Sequence, residues 1–449
     1  MKNVVGSEQS RAEQSHLCAL LEFANSNYKI IFIALLFIQA IGLLASLIYS
    51  SSYIEPDTMS YIVPAENFLK FKIFLDASGT PIWIRTPGYP LFLALIYWLA
   101  DLFKINFDKN FIVLSLQALM CILNSCMIFY CVNKIVNNNK NKIYGLLAVL
   151  FYILDLVFYE KAAKILTDVP FSFLITLSAF LFIKYYYSRV KLYAALSILA
   201  INYALWTRPA LLYFNMLLAV IIIFALIFKK INFKLGVLYL CVYLAMFGGW
   251  CIRNAHYHHV TFETMYMPLR LKDSFDFYAP ITYQIVNKIP NSTENDLKVK
   301  KIFNKMLYDK YPNFDELEIH EQYAAKGDIG RGYIKQHIGA YILLNFKGLL
   351  TEMIAPGLTF INEFKINNLF KRAISFFAAG MLAILNLIYA ISFIFNIKKL
   401  KFINIAIFLL TAYLMASTAV LGYSRFRLAF YAIETVGALS SLALFKKFK

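Results

Sequence analysis

Long apolar runs alternate with short, lysine-rich connections along most of this chain. The runs lie near 28–49, 111–132, 143–160, 170–187, 192–207, 209–228, 235–252, 373–396, 402–421 and 428–445. Each is near the length that carries an α-helix across a hydrocarbon layer of about 30 Å. The pattern predicts an all-α polytopic membrane protein with about ten spanning helices, in a range of nine to twelve. Two other apolar stretches read differently. If Pro87 to Phe103 crossed the membrane, Lys134, Lys140 and Lys142 would land outside and every later lysine cluster would invert. It is therefore placed along the outer surface, packed against the bundle. The stretch 339–358 contains Lys347, Glu352 and a Pro-Gly pair, and reads as interfacial or re-entrant.

Charge orients this arrangement. Lys134, Lys140 and Lys142 fill one connection, Lys184, Arg189 and Lys191 another, and Lys229, Lys230 and Lys234 a third. Lys398, Lys399 and Lys401, then the tail Lys446, Lys447 and Lys449, complete the series. Cytoplasmic connections carry the excess of Lys and Arg, which puts both termini inside. The expected organisation is a cytoplasmic segment 1–27, a first transmembrane helix 28–50 acting as an uncleaved signal-anchor, and an external loop 51–110 with in-plane helices. A six-helix region 111–252 follows, then an external loop or cap 253–372 with an interfacial helix. Three transmembrane helices and a basic tail make up 373–449. The polar part of the cap, from Arg253 to about His337, reads as too short for much of a core of its own. Trp83, Trp98, Trp206 and Trp250 then fall near the outer face, where aromatic belts form.

Composition agrees. Of 449 residues, 60% are hydrophobic and 16% charged, against roughly 25% charged in soluble domains. The mean hydropathy is +0.60. The formal charge of +18 comes mostly from lysines at helix ends, so it orients helices and does not mark a nucleic-acid surface. Six cysteines form no CxxC pair and suggest neither a zinc site nor a disulfide framework. His256, His258 and His259 stand in a polar loop and read as ordinary loop residues.

The candidate chemistry begins between Pro56 and Pro90. Asp57 lies in a Pro-Asp turn, Tyr61, Ala65 and Glu66 share one side of a helix-like run, and Arg85-Thr-Pro-Gly-Tyr-Pro follows, with Tyr89 in it. Asp168 opens the fourth spanning run, Arg208 lies between the fifth and sixth, Arg253 and Asn254 follow Trp250, and Arg425 and Arg427 precede the last. The charge-derived topology brings all of them to one membrane face. An ionisable group inside a membrane costs about 2–3 kcal/mol at the centre and less near the edge, so two carboxylates with several arginines point to a pocket for an anion. Plainer readings stand beside this one. Asp168 before Pro170 also suits a helix N-cap, Asp57 an ordinary turn, and Arg208 or Arg425 a snorkelling anchor. Asp155 and Glu434, inside apolar runs, read as bundle-internal hydrogen-bonding groups.

The order Asp57…Tyr61…Ala65, Arg85-Thr-Pro-Gly-Tyr-Pro, Thr167-Asp168-Val-Pro-Phe, Thr-Arg208-Pro, Trp250-x-x-Arg253-Asn254 and Arg425-Phe-Arg427 resembles bacterial glycosyltransferase family 39. That family belongs to the GT-C superfamily, with protein O-mannosyltransferases and the lipid A aminoarabinose transferase. The resemblance implies a GT-C-type bundle in the bacterial inner membrane, with its active site on the periplasmic side. It implies transfer, with inversion, of a sugar from a polyprenyl-phosphate carrier to a glycan, lipid or protein acceptor. Asp57 matches the first-loop aspartate implicated in catalysis, Asp168 the second acidic position, and Arg85 the cation at the lipid phosphate. No cofactor is called for with certainty. A divalent metal stays open, because Ile84 stands where the aminoarabinose transferase has an acid able to ligate one. Guanidinium chemistry adds Arg425 and Arg427 as further phosphate ligands, and Tyr61, Tyr89, Arg208, Arg253 and Asn254 are expected to line the pocket.

Two other classes share these features. A flippase or transporter of lipid-linked glycans calls for charges near the midplane and on both faces. An O-antigen polymerase or ligase is also polytopic with external arginines, but uses a diphosphate-linked donor.

Overall fold

The computed structural model describes residues 22–50, 52–82, 85–136, 142–258, 271–290, 292–357, 367–396, 402–419 and 423–443. Lys140, Lys398, Lys399, Lys401, the terminal lysines, Cys18, Trp83, Ile84 and His259 lie outside them. Among the described residues the secondary structure is helical throughout, with one isolated β-bridge between Leu75 and Pro81. The helices used below are α1 (Tyr28–Tyr49), α2 (Met59–Phe71), α3 (Gly88–Leu102), α4 (Lys109–Val136), α5 (Ile143–Ile153), α6 (Leu156–Ala162), α7 (Asp168–Ser188), α8 (Lys191–Thr207), α9 (Leu212–Ile227), α10 (Phe233–Tyr243) and α11 (Gly249–His258). After them come α12 (Ala279–Val286), α13 (Thr293–Lys310), α14 (Ile319–Gln336), α15 (Ile338–Ile354), α16 (Asn368–Asn396), α17 (Phe402–Thr418) and α18 (Tyr431–Leu442).

The chain is a polytopic membrane bundle. Six helical segments among the described residues are long and apolar enough to cross a bilayer: Tyr28–Tyr49, Lys109–Val136, Asp168–Ser188, Pro209–Ile227, Phe233–Tyr257 and Asn368–Phe395. The expected span 143–160 is a bent pair, α5 and α6, meeting at 59°. Asp155 makes the bend: its backbone is extended (ψ 112°) and its side chain accepts from Val157 N–H, capping α6. The other three expected spans are shorter, 17 residues in α8, 17 in α17 and 12 in α18. A 3-10 turn, Ser424–Ala429, takes up the start of the last run.

Every residue of α18 from Tyr431 to Ser441 is buried. The helix packs against α16, α4, α5 and α17, and its small residues Ala432, Gly437, Ala438, Ser440 and Ser441 permit that close approach. At 15 residues, α3 spans about 22 Å, short of a bilayer core. It packs with α2 against α4 and the segment before α7, around Tyr61, Ala65, Tyr89, Leu93, Val113 and Ile165.

The polar cap departs from expectation. Residues 271–336 enclose a small core of Phe275, Val299, Phe303, Leu307, Phe314 and Ala325. Val299, Phe303 and Leu307 recur every four residues on α13, giving an otherwise lysine-rich helix one apolar stripe. Gly330 of α14 completes the packing, since a Cβ there would stand 2.6 Å from the backbone of Ser274 and Phe275.

Candidate functional site

Backbone stitching brings the two acidic positions together. The turn at Asp57 closes when Thr58 N–H donates to Glu55 O (2.9 Å) and Glu55 N–H donates to Thr58 Oγ1 (2.9 Å). Thr58 Oγ1 in turn donates to Ile165 O (3.2 Å), and Ile165 N–H donates to Tyr53 O (3.1 Å). The first loop is thus fastened to the strap that leads into Asp168 at the start of α7. The Arg85 turn is fastened to the end of α8: Thr86 Oγ1 donates to Thr207 O (3.2 Å) and Tyr203 OH donates to Gly88 O (2.9 Å). Gly88 allows this contact, because a Cβ there would lie 2.6 Å from the Trp206 carbonyl carbon. Arg208 is the next residue after this docking point.

Two acid–arginine pairs result. Arg85 Nη2 is 2.6 Å from Asp57 Oδ1, and its Nη1 donates to Tyr61 OH at 3.2 Å. Arg425 Nη2 lies 3.7 Å from the other carboxylate oxygen of Asp57. Arg208 Nη1 is 2.9 Å from Asp168 Oδ1. The pairs share a support, since the Arg208 and Arg425 guanidiniums lie over the Phe426 ring, 4.7 and 5.0 Å from its centroid. Burial works against the charge of Arg85, but Tyr61, Asp57 and Asp273 outweigh it and hold its pKa above the ordinary value. Exposure separates the two acids: the Asp57 side chain is 36% accessible and that of Asp168 4%.

Other expected site residues are engaged elsewhere. Arg427 is fully buried, with Nε 3.0 Å and Nη2 2.7 Å from the two oxygens of Asp155. Its Nη1 donates to the carbonyls of Glu352 (2.7 Å) and Ala355 (2.9 Å) at the end of α15. All three of its nitrogens are therefore taken by protein, and the arginine staples the α5–α6 bend to α15. Arg253 donates to the carbonyls of Ile82 and Phe74 and to Asn254 Oδ1 (2.8 Å), with its guanidinium over Trp250 and Tyr257. It braces the loop three residues before Arg85, and Asn254 is buried behind it. Tyr89 is buried beneath Tyr61, ring edge to face at 5.2 Å, with its hydroxyl donating to Gln117 Oε1 (2.8 Å). Tyr89 therefore supports Tyr61 from behind. Glu434 is buried, and among the described residues neither of its carboxyl oxygens has a hydrogen-bond partner.

Sequence reasoning missed four charged groups around the site. Lys161 lies 2.5 Å from Glu160 and 3.4 Å from Glu55. These residues were hidden at the edges of an apolar run and of the first loop. The fourth is Asp273 of the cap, near enough to Arg85 and Asp57 for their charges to act on it. Burial pushes its carboxyl up to about 6, against the opposing pull of Lys272 and Arg85. Nothing in the sequence around Asp273 marks it as a neighbour of the first loop.

Chemically, the arrangement offers an accessible carboxylate held between two arginines, with a second, sealed carboxylate fixing a third. Among the described residues Arg425 Nε is buried without a hydrogen-bond partner. Arginines around an acid suit an anion better than a cation. Among the described residues no three His, Cys, Asp or Glu side chains gather as metal ligands.

No family model matches the chain, and no curated protein does. Solved structures do. The chain is similar to the Archaeoglobus fulgidus oligosaccharyltransferase AglB in complex with an inhibitory peptide and a dolichol-phosphate, at 12% identity and a TM-score of 0.45, over 94% of this chain and 51% of that one. It is similar to the Archaeoglobus fulgidus oligosaccharyltransferase tethered with an acceptor peptide containing the NVT sequon, at 13% identity and a TM-score of 0.49, over 93% and 49%. It is also similar to ArnT from Cupriavidus metallidurans bound to undecaprenyl phosphate, at 13% identity and a TM-score of 0.38, over 94% and 78%. The chain spans about half the length of the archaeal enzyme.

Proposed function

We propose that this chain is an integral membrane glycosyltransferase of the hexosyl or pentosyl class. It would move a sugar, with inversion, from a polyprenyl-phosphate carrier to an acceptor on the outer face of the membrane. The observation that carries the proposal is Asp57, accessible to an acceptor yet flanked by Arg85 and Arg425, in a multi-pass bundle whose motif order resembles such enzymes.

Arg85 and Arg425 would bind the donor phosphate through their guanidinium groups, whose side chains are 27% and 29% accessible. An acceptor hydroxyl attacks C1 of the sugar as the C1–O bond breaks and its electrons pass to the phosphate. Fixed arginines favour the phosphate as its charge grows, because their orientation is set before reaction. Asp57 takes the acceptor proton. Asp168, being sealed, is assigned a positioning role: it holds Arg208 over Phe426 and so beside Arg425. Of the two arginines expected there beside Arg85, Arg425 keeps the phosphate role and Arg427, occupied by Asp155, does not.

The test is mass spectrometry of surface glycans and lipid A from a deletion strain, with complementation by wild type and by Asp57→Asn. Loss of a single sugar, restored only by wild type, is expected. An unaltered glycome would overturn the proposal.

A further inference from the structure

The cap carries a cavity of about 330 Å³ lined by Phe275, Asp276, Phe277, Pro280, Lys300, Phe303, Asn304 and Lys326. That is at the lower end of the ~300–1,000 Å³ typical of small-molecule sites. Its lining is of two kinds. Phe275 and Phe303 are buried, while Phe277 is 41% exposed and presents an open ring. Asp276, Asn304, Lys300 and Lys326 supply carboxylate, amide and ammonium groups around these rings. Asp276 is shared by Lys272 (3.2 Å) and Lys326 (3.6 Å), which fixes it in place. Asn304 and Lys300 make no side-chain hydrogen bond or ion pair among the described residues, so their donors face the opening unspent.

The local backbone is also unusual. Ser274–Tyr278 is a short π-helical segment, a feature frequent at functional sites, and its Asp276 and Phe277 line the cavity. Asp273, which feels the charges of Arg85 and Asp57, lies just before this turn. The cavity therefore opens off the same short segment that carries Asp273.

We infer that this cavity holds one sugar unit of a glycan acceptor. The inference rests on the transferase reading, and it assigns the cap the task of presenting a glycan to Asp57. A pyranose offers an apolar C–H face and a rim of hydroxyls. The first matches an exposed phenyl ring, and the second matches a fixed carboxylate with an amide and ammonium groups beside it.

The test uses the full chain in nanodiscs and saturation-transfer NMR with methyl glucoside, methyl galactoside, methyl N-acetylglucosaminide and methyl glucuronide. At least one probe is expected to bind wild type and Asp57→Asn alike. Phe277→Ala and Asn304→Ala, both at exposed positions outside the cap core, should each weaken binding about tenfold or more. Absence of binding by every probe, or binding unchanged in both cap variants, would sink the assignment. Because Asp57→Asn cannot transfer under the main proposal, its binding reports on the cavity alone. A chain that binds sugars in the cap yet alters no glycome keeps the cavity and loses the transferase.

Discussion

Arg85 Nη2 stands 2.6 Å from Asp57 Oδ1, so the cation and the carboxylate that open the site form one ion pair. Each side chain is set by its partner: the carboxylate orients the guanidinium, and the guanidinium holds the carboxylate in place. Removing either changes both.

Asp57→Asn should lower turnover by about 10²–10⁴, the range of general-base contributions, with membrane insertion unchanged. Because Asn cannot anchor Arg85 as an anion does, the affinity for lipid-linked sugar should also shift. Steady-state kinetics on reconstituted protein measure both. Full activity in the variant removes Asp57 as the base.

Arg85→Lys should not restore the site. Arg85 uses two nitrogens in a planar fork, one on Asp57 and one on Tyr61 OH, and an ammonium cannot reproduce that spacing. Both Arg85→Lys and Arg85→Ala should raise KM for the donor, with Ala the more severe. A donor KM unchanged in Arg85→Ala takes this residue out of the phosphate site.

Arg427→Met should destabilise the fold by about 3–5 kcal/mol, because it leaves Asp155 buried without its counter-charge. The double variant Asp155→Leu with Arg427→Met should recover much of that loss. Thermal unfolding in detergent tests the pair. If Arg427→Met instead leaves stability intact and abolishes donor binding, Arg427 belongs to the phosphate site after all.

Gly88→Ala places a methyl 2.6–2.7 Å from the backbone of Trp206 and Thr207. Backbone cannot swing aside as a side-chain tip does, so the Arg85 turn must part from the end of α8. Transfer activity should fall more than tenfold, about 1.4 kcal/mol in the barrier, while the protein still inserts. Wild-type activity in Gly88→Ala would show that the docking of the two segments is dispensable.

Asp273 gives the site a pH dependence. Its carboxyl is raised to about 6, so it is neutral below that pH and anionic above it. An added negative charge near Arg85 opposes an anionic donor, and donor affinity should weaken as pH rises through about 6. The stability term has the same sign. The unfolded chain ionises this group near 3.8, so the native state binds more protons between there and about 6, and stability falls across that window as pH rises. Asp273→Asn should flatten both profiles, and unchanged profiles would exclude Asp273 as their source.

The helices were legible because apolar length is a one-dimensional signal, and the order of the motifs anticipated that Asp57, Arg85, Asp168, Arg208 and Arg425 lie near one another. Pairing was not, since it depends on which turn docks where. Arg425 and Arg427 illustrate the limit. They look alike in Tyr-Ser-Arg-Phe-Arg, but in a 3-10 turn with about three residues per turn positions two apart point in different directions. One reaches Asp57 and the other is sealed against Asp155. The cap core was missed for a related reason: charged residues outnumber the apolar stripe on α13, and only its four-residue spacing betrays it.

The staple at Arg427 has a mechanical consequence. Two residues before it on the same six-residue turn is Arg425, and the turn is bolted to the bundle by four hydrogen bonds from Arg427. A surface arginine on a free loop must surrender much of its motion when it grips a phosphate. Arg425 is mounted on a fixed bracket, and that entropy was given up when the chain folded, leaving less to lose on binding the phosphate proposed for it.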